Sequence, residues 1–363
     1  MTLFRNSLPT AVGWLAQRGG FRRLCGSGPA IAMIAASIPL FSLSGCRPEG
    51  VSEQGGVSEE ESSQIGRAHI HPGSGDFLLE GGAGHSEKLI TVFYHQPENF
   101  LPSSPILVVV PGAGRNAQTY RDAWIESSET YGVLILSPMY TEEDYDFGAY
   151  HMGGLLSEMN IAASSRGGEG PNEVTLDEEV FTFEVNRVPE QWIFPDFDRL
   201  FERAAVDVGS SRESYDIFGH SAGGQILHRL ALFYPSSKAD RILAANSGFY
   251  TLPDFTTQFP FGLEGAPIDE EDLEASFDQR LVLFLGAEDD ATETGGTLLR
   301  SPTVDQQGLH RLERGRYFYD MGRQISQRQG LQFRWSLEIV PGVGHDFRGM
   351  GKAAAEYLYG GNG

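Results

Sequence analysis

Ser214-Tyr-Asp-Ile-Phe-Gly-His-Ser-Ala-Gly-Gly224 is a short strand-like run that turns through Gly219-His220-Ser221-Ala222-Gly223 into the helical pattern Gln225-Ile-Leu-His-Arg-Leu-Ala-Leu-Phe233. The order strand, sharp turn, helix, with G-x-S-x-G spacing, predicts a turn at whose apex Ser221 holds its hydroxyl out into a cleft. Gly219 and Gly223 leave room where the strand and helix cross and where a Cβ would strike. The turn also leaves the Ala222 amide at a helix N-terminus, where unpaired N–H groups and the helix dipole favour a developing negative charge. Glycine supplies 45 of the 363 residues, so the pentapeptide alone says little. Its flanking strand and helix give it meaning.

A serine hydroxyl is a weak nucleophile until a base takes its proton, and the base must be oriented by an acid. Leu281-Val-Leu-Phe-Leu-Gly286 is an unbroken apolar run that reads as a buried parallel strand, and it ends in Ala287-Glu288-Asp289-Asp290. Asp289 is the candidate acid, with Asp290 and Glu288 as alternatives in the same loop. Phe333-Arg-Trp-Ser-Leu-Glu-Ile-Val340 alternates as a further strand and runs into Pro341-Gly-Val-Gly-His345, which makes His345 the candidate base. His345 is the one histidine after the last expected strand. His220 is expected to leave the turn in a different direction from Ser221, and His228 to pack on the helix that follows.

Ile106-Leu-Val-Val-Val110 is an earlier strand by composition, and Pro111-Gly-Ala-Gly-Arg-Asn116 a Gly-rich turn before a helical stretch beginning at Ala117. Together with the Ser221 turn, this resembles the α/β-hydrolase superfamily of serine esterases and lipases over about Phe77 to Gly360. Pro111-Gly112-Ala113-Gly114 stands where that family has His-Gly-X. The resemblance implies that the Ala113 amide joins that of Ala222 in an oxyanion hole. Pro111 departs from the family pattern. Gln307-Gly-Leu-His-Arg-Leu-Glu-Arg-Gly315 and Val340-Pro-Gly-Val-Gly-His345-Asp are similar to bacterial secreted hydrolases related in outline to polyhydroxyalkanoate depolymerases and feruloyl esterases.

Strands and helices alternate from Leu89 to the C-terminal helix. This predicts an α/β fold with a doubly wound, mostly parallel sheet that binds ligands beyond the carboxyl ends of its strands. Two connections are too long to be simple links, Met139 to Gln191 and Gly248 to Gly265. They read as cap-like insertions that bring aromatic residues to the site, with Tyr150, Phe249 and Tyr250 as candidates for the substrate pocket.

Residues 1–45 carry Arg5, Arg18, Arg22 and Arg23, no acidic residue, and an apolar stretch from Ala30 to Leu43 ahead of Leu43-Ser-Gly-Cys46. This reads as a secretory signal. Its last four residues resemble the bacterial lipoprotein cleavage box, which implies acylation of Cys46 and an exported enzyme anchored by lipid in the cell envelope. Residues 46–75, rich in Gly, Ser and Glu, read as a flexible tether, leaving 76–363 as the catalytic domain. With Cys25 in the leader and Cys46 acylated, no disulfide is expected. The formal charge of −22 argues against nucleic-acid and polyanionic partners. No metal-ligand spacing, phosphate loop or dinucleotide fingerprint is present, so no metal or cofactor is expected, and a monomer is. The function expected is a serine hydrolase cleaving small or polymeric carboxylic esters through an acyl-enzyme. Amide, thioester and lactone hydrolysis and acyl transfer use the same triad. A non-catalytic binding protein on the fold would be expected to have lost one of these residues.

Overall fold

A computed structural model describes residues 68–361. The first strands are β1 (Gly73–Glu80), β2 (Leu89–Gln96), β3 (Ile106–Val110) and β4 (Leu134–Met139). Four short strands follow in a long insertion: β5 (Leu156–Ser157), β6 (Ser165–Gly167), β7 (Glu173–Leu176) and β8 (Glu184–Val185). The second half carries β9 (Tyr215–His220), β10 (Ala239–Ala245), β11 (Arg280–Gly286), β12 (Leu298–Arg300) and β13 (Ser336–Val340).

Eight of these form one sheet in the order β1-β2-β4-β3-β9-β10-β11-β13. The six strands from β4 to β13 are parallel, and β1 and β2 pair antiparallel at one edge. Helices cover both faces, so the central strands are apolar at every position. In β3, Ile106, Val108 and Val110 join one core while Leu107 and Val109 join the other. The chain leaves β3 towards β4 on one side and later enters β9 on the other. The strand order therefore reverses between β3 and β9, and the crevice beyond their carboxyl ends is the topological switch point where ligands bind in such sheets.

The structure departs from the sequence reading in two places. The catalytic domain does not begin at 76: β1 starts at Gly73, and the Ile70 N–H donates to Asp207 Oδ2 at 2.6 Å. An edge strand is held by its backbone ladder, so Gly73-Ser-Gly-Asp76 needs no apolar pattern to belong to the sheet. The helix Arg311–Gln329 follows a separate short helix at Pro302–Asp305. The His310 imidazole accepts the Glu313 N–H and caps this start. The helix Glu270–Phe277, capped by Asp269, was not read from the sequence. The leader, Cys46 and residues 46–67 of the tether lie outside the described residues. Among the described residues, no helix is long and apolar enough to cross a membrane.

The insertion after β4 is tied to the rest of the molecule. Its β7 pairs antiparallel with β6 and parallel with β12, which follows the loop after β11. One small three-stranded sheet thus joins the cap-like segment to the region that follows the loop of Asp289.

Candidate active site

Ser221 has φ 60° and ψ −114°, a backbone conformation that L-residues rarely adopt, and this lifts it out of β9 at the head of helix Ala222–Phe233. Two close approaches explain the flanking glycines. A Cβ on Gly219 would stand 2.5 Å from the backbone of Gly223, and one on Gly223 would strike the Val110 carbonyl at the end of β3. The Ser221 N–H donates to Ala245 O at 2.9 Å, which fixes the turn against β10.

The Gly-rich loop after β3 lies beside the serine. Neither the Ala113 nor the Ala222 N–H has a hydrogen-bond partner among the described residues. Pro111 does not leave the loop loose: its carbonyl accepts the Tyr150 hydroxyl at 2.7 Å. Arg115, in the same loop, ties it to the segment after β4 by donating to the carbonyls of Tyr140, Thr141, Tyr145 and Asp146. Burial lowers the Arg115 pKa, although Glu142 and Asp146 favour the charged form.

Asp289 sits in the turn after β11 and His345 in the loop after β13, both with side chains at most 5 % exposed. Their contact is Nδ1 to Oδ2 at 2.8 Å. A carboxylate can only accept, so Nδ1 carries the proton and Nε2 presents a lone pair. The other Asp289 oxygen accepts from Arg311 Nη1 at 3.1 Å, and Arg311 also donates to Thr297 O. Asp290 turns away, accepting the N–H and hydroxyl of Thr292 at 2.8 Å. Ser221 and His345 line the same cleft, and no hydrogen bond joins the serine Oγ to the imidazole.

Several supports could not be found from local sequence. Glu293 accepts the His345 N–H at 2.7 Å and the Gly295 N–H at 2.6 Å. Asn246, at the end of β10, donates to Gly344 O at 3.0 Å and accepts the Gly286 N–H at 2.8 Å, bridging the loops of both His345 and Asp289. The segment Gln307 to Gly315 has a physical role as well. Arg311 holds Asp289, Arg314 donates to Gly248 O at 2.6 Å, and the Gln307 amide pairs with both backbone groups of Tyr250. His220 does not diverge from the site. Its buried ring lies 4.6 Å from that of His345, with Nδ1 3.3 Å from the Tyr120 hydroxyl.

The cleft measures about 690 Å³. Phe147, Met159, Ile161, Phe249, Leu299 and Phe347 give it apolar walls, and Glu142 and Asp146 are exposed at its rim. Of the three pocket candidates only Phe249 lines it. Tyr150 and Tyr250 are fully buried, which corrects the reading of both. Tyr150 lies behind the Gly-rich loop, where its hydroxyl is taken up by Pro111. Tyr250 stacks on Phe318 at 4.7 Å in the core.

No protein-family model and no curated protein matches the chain. Solved structures do. Poly(aspartic acid) hydrolase-1 from Sphingomonas sp. KT-1 is 34 % identical, with a TM-score of 0.68 over 80 % of this chain and 100 % of that one. LpqC, a poly(3-hydroxybutyrate) depolymerase from Bordetella parapertussis, is 28 % identical, with a TM-score of 0.69 over 83 % of this chain and 95 % of that one. Given 34 % identity along the full length of one hydrolase, on a doubly wound sheet with the serine turn at its switch point, the chain belongs to the α/β-hydrolase superfamily of serine hydrolases.

Proposed function

We propose that the protein hydrolyses carboxylic esters through an acyl-enzyme, with Ser221 as nucleophile, His345 as general base, Asp289 as its orienting acid, and the Ala113 and Ala222 amides as oxyanion donors. The observation that carries this reading is the 2.8 Å contact between Asp289 and His345 beside a cleft that also holds Ser221 and the unpaired amides of Ala113 and Ala222. In this reading Ser221 Oγ adds to the ester carbonyl carbon while His345 Nε2 takes its proton. The carbonyl oxygen becomes an oxyanion between the two N–H groups. Asp289 stays ionised and stabilises the imidazolium. As the intermediate collapses, the bond to the alcohol oxygen breaks and His345 returns the proton to it. Water, deprotonated by the same imidazole, then releases the acid and restores Ser221.

The walls of the cleft favour an uncharged, largely apolar substrate. Glu142 and Asp146 at the rim, and Glu288, Asp290, Glu293 and Asp346 around a second depression beside His345, would repel a polyanion. This favours the polyester chemistry named for the Bordetella relative. A second reading, amide hydrolysis, is favoured by the 34 % identity to a poly(aspartic acid) hydrolase.

The test is labelling with a fluorophosphonate, followed by a panel of matched esters and amides including poly(3-hydroxybutyrate) and poly(aspartic acid). Ser221→Ala is expected to stay folded and to lose both labelling and turnover. Labelling that persists in that variant would move the nucleophile elsewhere, and turnover confined to the amides would favour the second reading.

A further inference from the structure

His151 follows the short helix Phe147–Tyr150 and lines the same cleft as Ser221. It is partly exposed there, and its ring is locked by a stack on Phe147, 4.2 Å away and 13° from parallel. Behind it stands Gln225, one turn after Ser221 on the elbow helix and 8 % exposed. The Gln225 side chain also lines the cleft, and its Oε1 has no partner in normal hydrogen-bond geometry. The Gln225 side chain favours the protonated form of the His151 ring, against the other influences on it. Burial, then Arg115 and Arg229, push the His151 pKa down to about 3, so the ring is neutral at ordinary pH.

A neutral imidazole has one N–H and one lone pair. Whichever nitrogen carries the proton, the other is an acceptor, and it stands beside the unpaired Gln225 Oε1 as a second acceptor lining the cleft. The cleft they line has apolar walls that include Phe147, Met159 and Phe249, where an unmet acceptor is costly and a matched donor is rewarded.

We propose that His151 and Gln225 form a polar subsite of the cleft that accepts a hydrogen bond from the substrate, so that the preferred ester carries a hydroxyl or amide N–H within a few bonds of the scissile carbonyl. The subsite rests on the esterase reading of Ser221. It takes a hydroxyacyl or an acylamino ester in preference to a plain acyl ester of the same length.

The experiment compares kcat/KM for 4-nitrophenyl butanoate, 4-nitrophenyl 3-hydroxybutanoate and 4-nitrophenyl N-acetylglycinate. The wild type should favour at least one donor-bearing ester by about tenfold or more. Which of the two is favoured identifies the donor as hydroxyl or amide. In His151→Phe, which keeps the stack on Phe147 and removes the acceptor, the ratio of donor-bearing to plain ester should fall to near one. His151→Gln, which restores an acceptor oxygen, should recover part of it. Gln225→Leu should lower the ratio by removing the second acceptor. A wild-type ratio near one, or a ratio unchanged in His151→Phe, overturns the subsite, as does an equal loss on all three esters in every variant. Absence of Ser221-dependent turnover of 4-nitrophenyl butanoate overturns the esterase reading instead.

Discussion

His345 is enclosed by two neighbours that the sequence does not place beside it. His220 stands against one side of the ring, and its pKa is driven well below the usual value, first by burial and then by the charges of His345 and Arg311. A neutral His220 lets His345 take up a proton without a like charge at 4.6 Å. On the other side, Gly296 has φ 62°, and a Cβ there would stand 2.6 Å from His345 Nε2. Gly296→Ala should displace the base by a fraction of an ångström and lower kcat by about 10- to 100-fold, since misplacements of this size are that costly in a preorganised site. Steady-state kinetics on 4-nitrophenyl butanoate, with circular dichroism to confirm folding, checks this. An unchanged kcat would mean that the 296 loop yields and the imidazole does not.

Loops gain their rigidity from elements far away in the chain. Glu293 and His345 are 52 residues apart, Asn246 and Gly344 are 98 apart, and each pair meets because β10, β11 and β13 are neighbours in the sheet. Glu293→Ala removes two hydrogen bonds to a carboxylate and should cost about 2–4 kcal/mol of unfolding free energy. It should lower kcat more than it raises KM, because the loop it releases carries His345. Urea unfolding and a kcat-against-KM comparison test the two parts, and a variant with normal kcat would remove Glu293 from the support of the base. Strand cores behave more simply. Leu283 in β11 is fully buried, and Leu283→Ala is expected to cost about 2–5 kcal/mol, read from the same denaturation curves.

For the molecule as a whole, histidines held neutral by the fold set an acid limit. His151 falls to about 3, and His220 and His228 fall well below the usual value, in each case chiefly through burial. Unfolded, all three take up protons near pH 6.5. The stability they contribute is complete above that pH and is lost as the pH falls from about 6.5 towards the folded values, at up to about 1.4 kcal/mol per pH unit for each group. The unfolding free energy should be lower at pH 5.5 than at pH 7.5, and equal values would contradict the neutral state of these rings in the fold. We also propose that acylated Cys46 holds the domain at a membrane. Mass spectrometry should then find a lipidated N-terminal cysteine, and Cys46→Ser should move the activity from the detergent phase to the aqueous phase. An unmodified N-terminus elsewhere would refute the anchor and leave the hydrolase intact.

The sequence by itself carried the chain order of strand, loop, elbow, acid and histidine. Buried parallel strands need unbroken apolar runs, and a tight elbow needs glycine where backbones cross, so both leave local marks at Ile106–Val110, Leu281–Gly286 and Gly219–Gly223. It also narrowed the acid to three neighbours. Only the tertiary structure separates these candidates, turning Asp289 towards His345 and Arg311 and Asp290 towards Thr292. The same holds for the aromatics. Tyr150, Phe249 and Tyr250 are alike in the sequence, but which of them faces the cleft depends on the path of the insertions over the sheet. That path is decided by long-range contacts such as Tyr150 to Pro111 and Gln307 to Tyr250, which no local pattern encodes.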